Sequence, residues 1–288
     1  MTMKILFLIT LLLAISQCVA ADEYIDPASH VVYIYNLEDS TAEVKKGYMV
    51  AWDYDPWTKY EPGSPNASGN VVILEKISVN GKEFPVTKIG DYAFSRLKDI
   101  TRVSIPSSVT TIGLEAFAEC SGLEAIDMRE GLREICLQAF RECISLKSII
   151  LPSGLETIGF AAYYGCQGLT KIIIPESVRE IGGYALGDCS NLKNVTSFID
   201  EPFPVDHICG FEHSHITLYV PNGCITKYEE IDGWNQFAQI KEYNDATSVR
   251  GIKELSSEDV HNYNLAGQKV NASYKGIVIR NGKKVIVK

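Results

Sequence analysis

No segment of this chain is apolar for long enough to cross a bilayer as a helix, which takes about 20 residues. The one extended apolar stretch, residues 5–15, is half that length. It follows Lys4 and runs into Ser16-Gln17-Cys18-Val19-Ala20-Ala21. That order of charge, apolar core and small-residue exit is that of a secretory signal peptide, with cleavage expected near Ala20. Acylation of Cys18 is the alternative, and the bulky Gln17 before it counts against that reading. Cationic residues are also scarce. There are 27 Lys and Arg against 36 Asp and Glu, a net charge of −9, and loss of Lys4 with the leader makes it more negative still. Phosphate backbones need clustered Lys and Arg, so nucleic acid is excluded as a partner.

Catalytic signatures are missing too. The sequence has no glycine-rich phosphate loop, no nucleophile elbow, no zinc-protease helix and no Cys-x-x-Cys pair. Neither an enzyme nor a cofactor protein is expected. Three of the five histidines fall in Asp206-His207-Ile208-Cys209-Gly210-Phe211-Glu212-His213-Ser214-His215. His213 and His215, with His207 or Cys209, would offer metal ligands, and Cys209 beside a histidine a nucleophile. No second ligand pair stands at a regular spacing, so a solvated loop is the preferred reading and no metal is expected.

What the sequence does hold is a period. From Val86 it restarts every 23 residues, at Val109, Leu132, Leu155 and Val178. Ile89, Ile112, Ile135, Ile158 and Ile181 form one column, and Ala93, Ala116, Ala139, Ala162 and Ala185 a second. Beside each Ala stands a larger apolar group: Phe94, Phe117, Phe140, Tyr163, Leu186. A further column reads Leu97, Cys120, Cys143, Cys166, Cys189. A fixed period of this length marks a solenoid, whose coils are too small to bury an apolar side alone and share one core by stacking. Cysteine suits a tight column as a small apolar residue when reduced. A ladder of free thiols is therefore preferred over bridges, although stacked neighbours sit near disulfide distance. Outside the repeats, Cys209 and Cys224 are the better candidates for a bridged pair.

The run Ile158-Gly159-x-x-Ala162-Tyr163-x-x-Cys166-x-x-Leu169-x-x-Ile172-x-Ile174-Pro175 resembles the BspA-like, or treponemal-type, leucine-rich repeat, over residues 86–198. The first repeat departs in Leu97, and the fifth in Leu186 and Ser197. The resulting expectation is a β-rich α/β repeat solenoid. Five 23-residue repeats would form a right-handed leucine-rich-repeat coil capped at both ends, followed by a small C-terminal β domain. The divisions expected are a signal peptide (1–20), an N-terminal cap with an aromatic insertion (21–85), the repeats (86–198), a C-terminal cap (199–243), a linker (244–250) and a β tail (251–288). Asn80-Gly81 and Asn281-Gly282 are two-residue hairpin signals. The tail is similar to the sorting domains of type IX secretion substrates, which implies delivery to the cell surface through that export machinery.

The resemblance implies a non-enzymatic, adhesin-like protein whose ligand is an extracellular protein of host matrix or another cell. Side chains alternate along a strand, so three columns face outward, one of them Ser104, Asp127, Ile150, Ile173 and Thr196. Ile150 and Ile173, with Lys147 and Lys171 beside them, form a candidate contact patch. The competing reading is that β-branched residues simply favour strands. In the aromatic insertion, Trp52 and Trp57 would stack on sugar rings, making a glycan-binding accessory the alternative function. Against it, the same rings would serve to cover the first coil.

Overall fold

The computed structural model describes residues 22–49, 60–147, 149–210, 215–243, 262–264, 269–270, 276–280 and 283–287. The chain opens with β1 (Asp22–Ile25), β2 (Val32–Asn36) and β3 (Thr41–Val44), followed by β4 (Tyr48–Met49), β5 (Tyr60–Glu61) and β6 (Gly69–Val72). β7 (Lys76–Val79) and β8 (Lys82–Ile89) form an antiparallel hairpin. Its turn is Asn80-Gly81, with φ of 51° and 80°, the left-handed pair that a two-residue turn of this hand requires.

Each coil then contributes two strands, one from a series of four to six residues, of which β13 keeps only two, and one from a series of two residues throughout. The longer ones are β9 (Ile100–Ile105), β11 (Ala125–Met128), β13 (Ile149–Ile150), β15 (Lys171–Ile174) and β17 (Asn194–Ser197). The short ones are β10 (Thr111–Ile112), β12 (Glu134–Ile135), β14 (Thr157–Ile158) and β16 (Glu180–Ile181). Short strands stack in parallel from β8 to β16, with Ile89, Ile112, Ile135, Ile158 and Ile181 in register and buried. The sequence column is thus a physical column, one strand spacing (about 4.8 Å) per coil.

Helix is nearly absent, and the backbone explains why. In the turn after each short strand, alternate N–H groups donate to the next coil: Tyr92 to Leu114, Phe94 to Ala116 and Arg96 to Ala118, at 2.7–2.8 Å. The pattern recurs 23 residues later from Glu115, Phe117 and Glu119. These donors are satisfied between coils, leaving no need for a helical ladder within one. The turn is held by left-handed residues at Tyr92, Glu115, Gln138, Ala161, Tyr184 and His207. Such a backbone costs a non-glycine residue on the order of 1 kcal/mol or more and persists only where surrounding bonds over-determine it. The β-rich α/β expectation is corrected in that respect: the structure is a β-solenoid with turns in place of helices.

Between the strands and the turns lies the core. Phe94, Phe117, Phe140 and Tyr163 stack with centroids 5.0–5.2 Å apart and planes within 11° of parallel. The five alanines beside them are buried completely or nearly so, leaving width for the rings. The cysteine column adds a feature that packing alone does not require. Cys120, Cys143, Cys166 and Cys189 each donate Sγ–H to the carbonyl of the ring residue 26 positions back, at 3.0–3.2 Å. A cysteine here fills a small apolar site and gives a buried carbonyl, already bonded to a backbone N–H, a second donor. Burial pushes the Cys120 and Cys189 thiols up to about 12 and those of Cys143 and Cys166 well above the usual range, so the ladder is reduced and protonated.

Stacking continues past the last sequence repeat. β18 (Thr217–Val220) pairs in parallel with β17, and after α1 (Ile225–Glu230) β19 (Gln239–Glu242) pairs in parallel with β18. At the other end β6 runs parallel to β9, and β3 parallel to β8. The count of five coils is therefore corrected upward. A coil needs apolar alternation and strand length, and it survives loss of the Ala, ring and Cys identities that make the period visible. Ile208 accepts from Leu186 N–H as each Ala carbonyl does in the preceding coils, which puts Cys209 in the ring column. The Cys209–Cys224 bridge is corrected as well: both are free. Cys209 lies buried near Cys189, whereas Cys224 precedes α1 with its Sγ 3.6 Å from the Asp200 carbonyl. Tyr228 and Trp234 meet edge to face and close this part of the core.

The tail strands β20 (Asn262–Asn264), β21 (Lys269–Val270), β22 (Gly276–Arg280) and β23 (Lys283–Val287) form a four-stranded antiparallel sheet. Arg280 pairs with Lys283, the register of a two-residue connection.

Candidate functional surface

On the longer strands, residues whose side chains alternate inward are Val103, Ile126, Ile149, Ile172, Val195 and Leu218, all buried. Their neighbours in sequence face out. Hydrogen-bond register aligns Val72, Ser104 and Asp127 in one sheet and Ile150, Ile173, Thr196, Tyr219 and Lys241 in the next, and the 23-residue period sets the two rows in one outward column. Ile150 is 48% exposed and pairs directly with the half-buried Ile173. The two isoleucines that the sequence singled out are adjacent, and the structure prolongs their column to the ring of Tyr219.

Beside this column runs a second row, in which the buried Pro152, Pro175 and Pro221 stand in line with the half-buried Phe198 and Tyr243. Phe198 N–H bonds the Ile174 carbonyl and Tyr243 N–H the Val220 carbonyl, which fixes both as continuations of their strands. Their rings meet edge to face at 5.3 Å. The sequence reading stopped at Thr196. Tyr219 lies 23 residues beyond it, so the period itself was a signal that would have found this ring, had it been followed past the lost Ala and Cys columns.

Charge divides the face. In the N-terminal half, Asp127 pairs with Arg129 at 3.2 Å and Glu124 with Lys147 at 3.5 Å. From β13 onward the outward positions carry Lys147, Lys171, Lys193 and Lys241. Among the described residues no carboxylate faces outward there, and Lys171, Lys193 and Lys241 have no ion-pair partner. Glu242, on the last strand, stands in register with the buried Val220 and accepts from the Gly223 N–H at 2.8 Å.

The other sequence candidates separate. Trp52 and Trp57 lie outside the described residues, as does His213. His207 occupies the left-handed turn position with its ring 5.8 Å from Tyr184, and His215 is exposed just before β18. Burial raises the Cys209 thiol, the opposite of what a nucleophile needs. Among the described residues no three His, Cys, Asp or Glu side chains are grouped to hold a metal. A separate exposed apolar pair, Leu137 and Phe160, stands on the connections after β12 and β14. Sequence reading missed it because those positions vary between repeats.

Residues 75–200 match the BspA type leucine rich repeat region in six copies. The leucine-rich-repeat protein of T. pallidum superposes with a TM-score of 0.52 at 23% identity, over 81% of this chain and 96% of that one. A leucine-rich-repeat protein from Bacteroides ovatus gives 0.55 at 26% identity, over 76% of this chain and 53% of that one, so this chain spans about half its length. No curated protein matches the sequence. A 23-residue period, strands in parallel register and a match in six copies agree: residues 75–200 are similar to the BspA type leucine rich repeat region, and the chain shares the solenoid fold of bacterial leucine-rich-repeat proteins.

Proposed function

We propose that this is an exported, cell-surface binding protein without catalytic activity, which holds an extracellular protein ligand against the outward face of its longer-strand sheet. The observation that carries the reading is the column centred on Ile150 and Ile173. Two β-branched side chains lie side by side in register, one of them half exposed, with further rings in line and Lys147, Lys171 and Asp127 around them. Contiguous exposed apolar surface rimmed by polar groups is the usual mark of a contact site. The paired strands and packed core beneath it make association inexpensive in conformational entropy. Cleavage near Ala20 and handling of residues 251–288 by the export machinery complete the proposal. That part fails if cells making a chain without residues 251–288 export and display it as before.

The test of the binding reading is an array of extracellular-matrix proteins beside an array of glycans. Both are probed with the mature protein and with an Ile150→Asp/Ile173→Asp variant whose circular dichroism is unchanged. A protein ligand bound by the wild type and lost in the variant supports the reading. Binding to glycans alone, equal in both proteins, overturns it and moves the site elsewhere, with Trp52 and Trp57 the first place to look.

A further inference from the structure

We infer that the ligand segment seated on this face is an acidic, extended polypeptide with apolar side chains between its carboxylates; the inference rests on the proposed binding face. The chain as a whole is an anion, with 36 acidic residues against 27 basic ones. Its outward face from β13 to β19 is nonetheless a local cation, with four lysines and, among the described residues, no outward carboxylate. Random placement in so acidic a chain would put acids there, as it does on the short-strand side, where Glu134, Glu156 and Glu180 are exposed among Arg133 and Arg179. The polarity also runs along the stack of longer strands. The N-terminal ones carry Glu124, which meets the largely exposed Lys147 only at 3.5 Å, and Asp127, paired with Arg129, whereas Lys171, Lys193 and Lys241 keep their charge for a partner.

The spacing suits a peptide laid across the strands. Coils repeat at about 4.8 Å, so Lys147 and Lys193, two coils apart in one column, stand about 10 Å apart. An extended chain of the polyproline-II type rises about 3.1 Å per residue with three residues per turn, so carboxylates three residues apart lie on one face at about the same distance. Between the lysines and the proline row lies the column of Ile150, Ile173 and Tyr219, which offers apolar contact to the residues between the acids. That column is what favours a polypeptide over a polyanionic polysaccharide, which would use the lysines and leave the isoleucines and the ring uncovered.

The experiment titrates full-length mature protein with three synthetic twelve-residue probes and one polymer. The peptides are a Glu-Leu-Tyr repeat, its Gln-Leu-Tyr counterpart and its Lys-Leu-Tyr counterpart; the polymer is dextran sulfate. The glutamate peptide is expected to bind at least tenfold more tightly than the glutamine peptide and to weaken as salt rises. A Lys171→Glu/Lys193→Glu variant should lose that preference, and Ile150→Ser/Ile173→Ser should weaken both peptides equally. If glutamine and glutamate peptides bind alike and both are lost on Ile150→Asp/Ile173→Asp, the acidic-partner inference falls while the binding face stands. If dextran sulfate binds as well as the glutamate peptide and the isoleucine variants are silent, the site is a polyanion site and the polypeptide inference falls. If no probe binds, or the lysine peptide binds best, the inference is wrong as stated.

Discussion

Raising the pH should dismantle this solenoid through its cysteine ladder. In the folded chain burial penalises the thiolate, so that Cys120 and Cys189 ionise only at about 12 and Cys143 and Cys166 are held well above the ordinary thiol range. In the unfolded chain the same thiols ionise near 8.5. A thiol is neutral when protonated, so a raised folded value means that the stability is complete below about 8.5 and is lost as pH climbs toward about 12. At pH 9.5 each thiol costs about 1.4 kcal/mol, and the four together roughly 6 kcal/mol, comparable to the whole stability of an ordinary domain. The expected result is cooperative loss of the β circular-dichroism signal between about pH 9 and 10, reversible under reducing conditions. Thiolate absorbance should appear in the same transition. Replacing Cys143 with Ala should lower stability at pH 7, since the Phe117 carbonyl loses the second of its two donors and the core loses a packed sulfur, yet flatten the alkaline limb by one thiol. Thiolate appearing near pH 8.5 in a chain that keeps its fold would refute the reasoning.

Three further outcomes follow from the packing. The Tyr163 hydroxyl is buried without a hydrogen-bond partner beside a gap lined by Ile158, Ile172 and Leu186 that has no room for water. Tyr163→Phe should therefore stabilise by about 1 kcal/mol and raise the melting temperature by a few degrees; a lower melting temperature would show that the hydroxyl is satisfied. Phe117→Ala removes the second of four stacked rings and should cost about 3–5 kcal/mol in a denaturant titration. Tyr228→Phe strips a hydroxyl bonded at 2.7 Å to both Ser197 and the Ile199 carbonyl. A loss of about 1–2 kcal/mol is expected, with hydrogen exchange rising first in β18 and β19.

Much of this architecture was legible because one chain repeats itself. The isoleucine, alanine and ring columns reappear as hydrogen-bonded or stacked columns, and the inward and outward alternation of the longer strands placed Ile150 and Ile173 correctly as neighbours. What escaped were features set by backbone rather than by residue identity. The turns read as the helical half of an α/β coil, since their donors' use between coils leaves no mark on sequence. Coils beyond Ser197 went uncounted because Cys209 can stand where a ring stood. The thiol bonds to the preceding coil were invisible for the same reason, although the cysteines themselves were not. On the candidate surface the isoleucines were found, while Tyr219, Phe198 and the lysine polarity needed the strand register to bring residues from separate coils onto one face.

The central claim is that the longer-strand sheet presents the binding surface, and two matched variants test it most directly against the array-selected protein ligand. One puts aspartates at Ile150 and Ile173, and the other puts the same two charges at the exposed Leu137 and Phe160. A pair of central anchors is worth about 2 kcal/mol or more, roughly 30-fold in Kd. Loss of that size in the first variant with the second at wild-type affinity is the predicted result. Equal affinity of the first variant and the wild type, or loss confined to the second, would contradict the account.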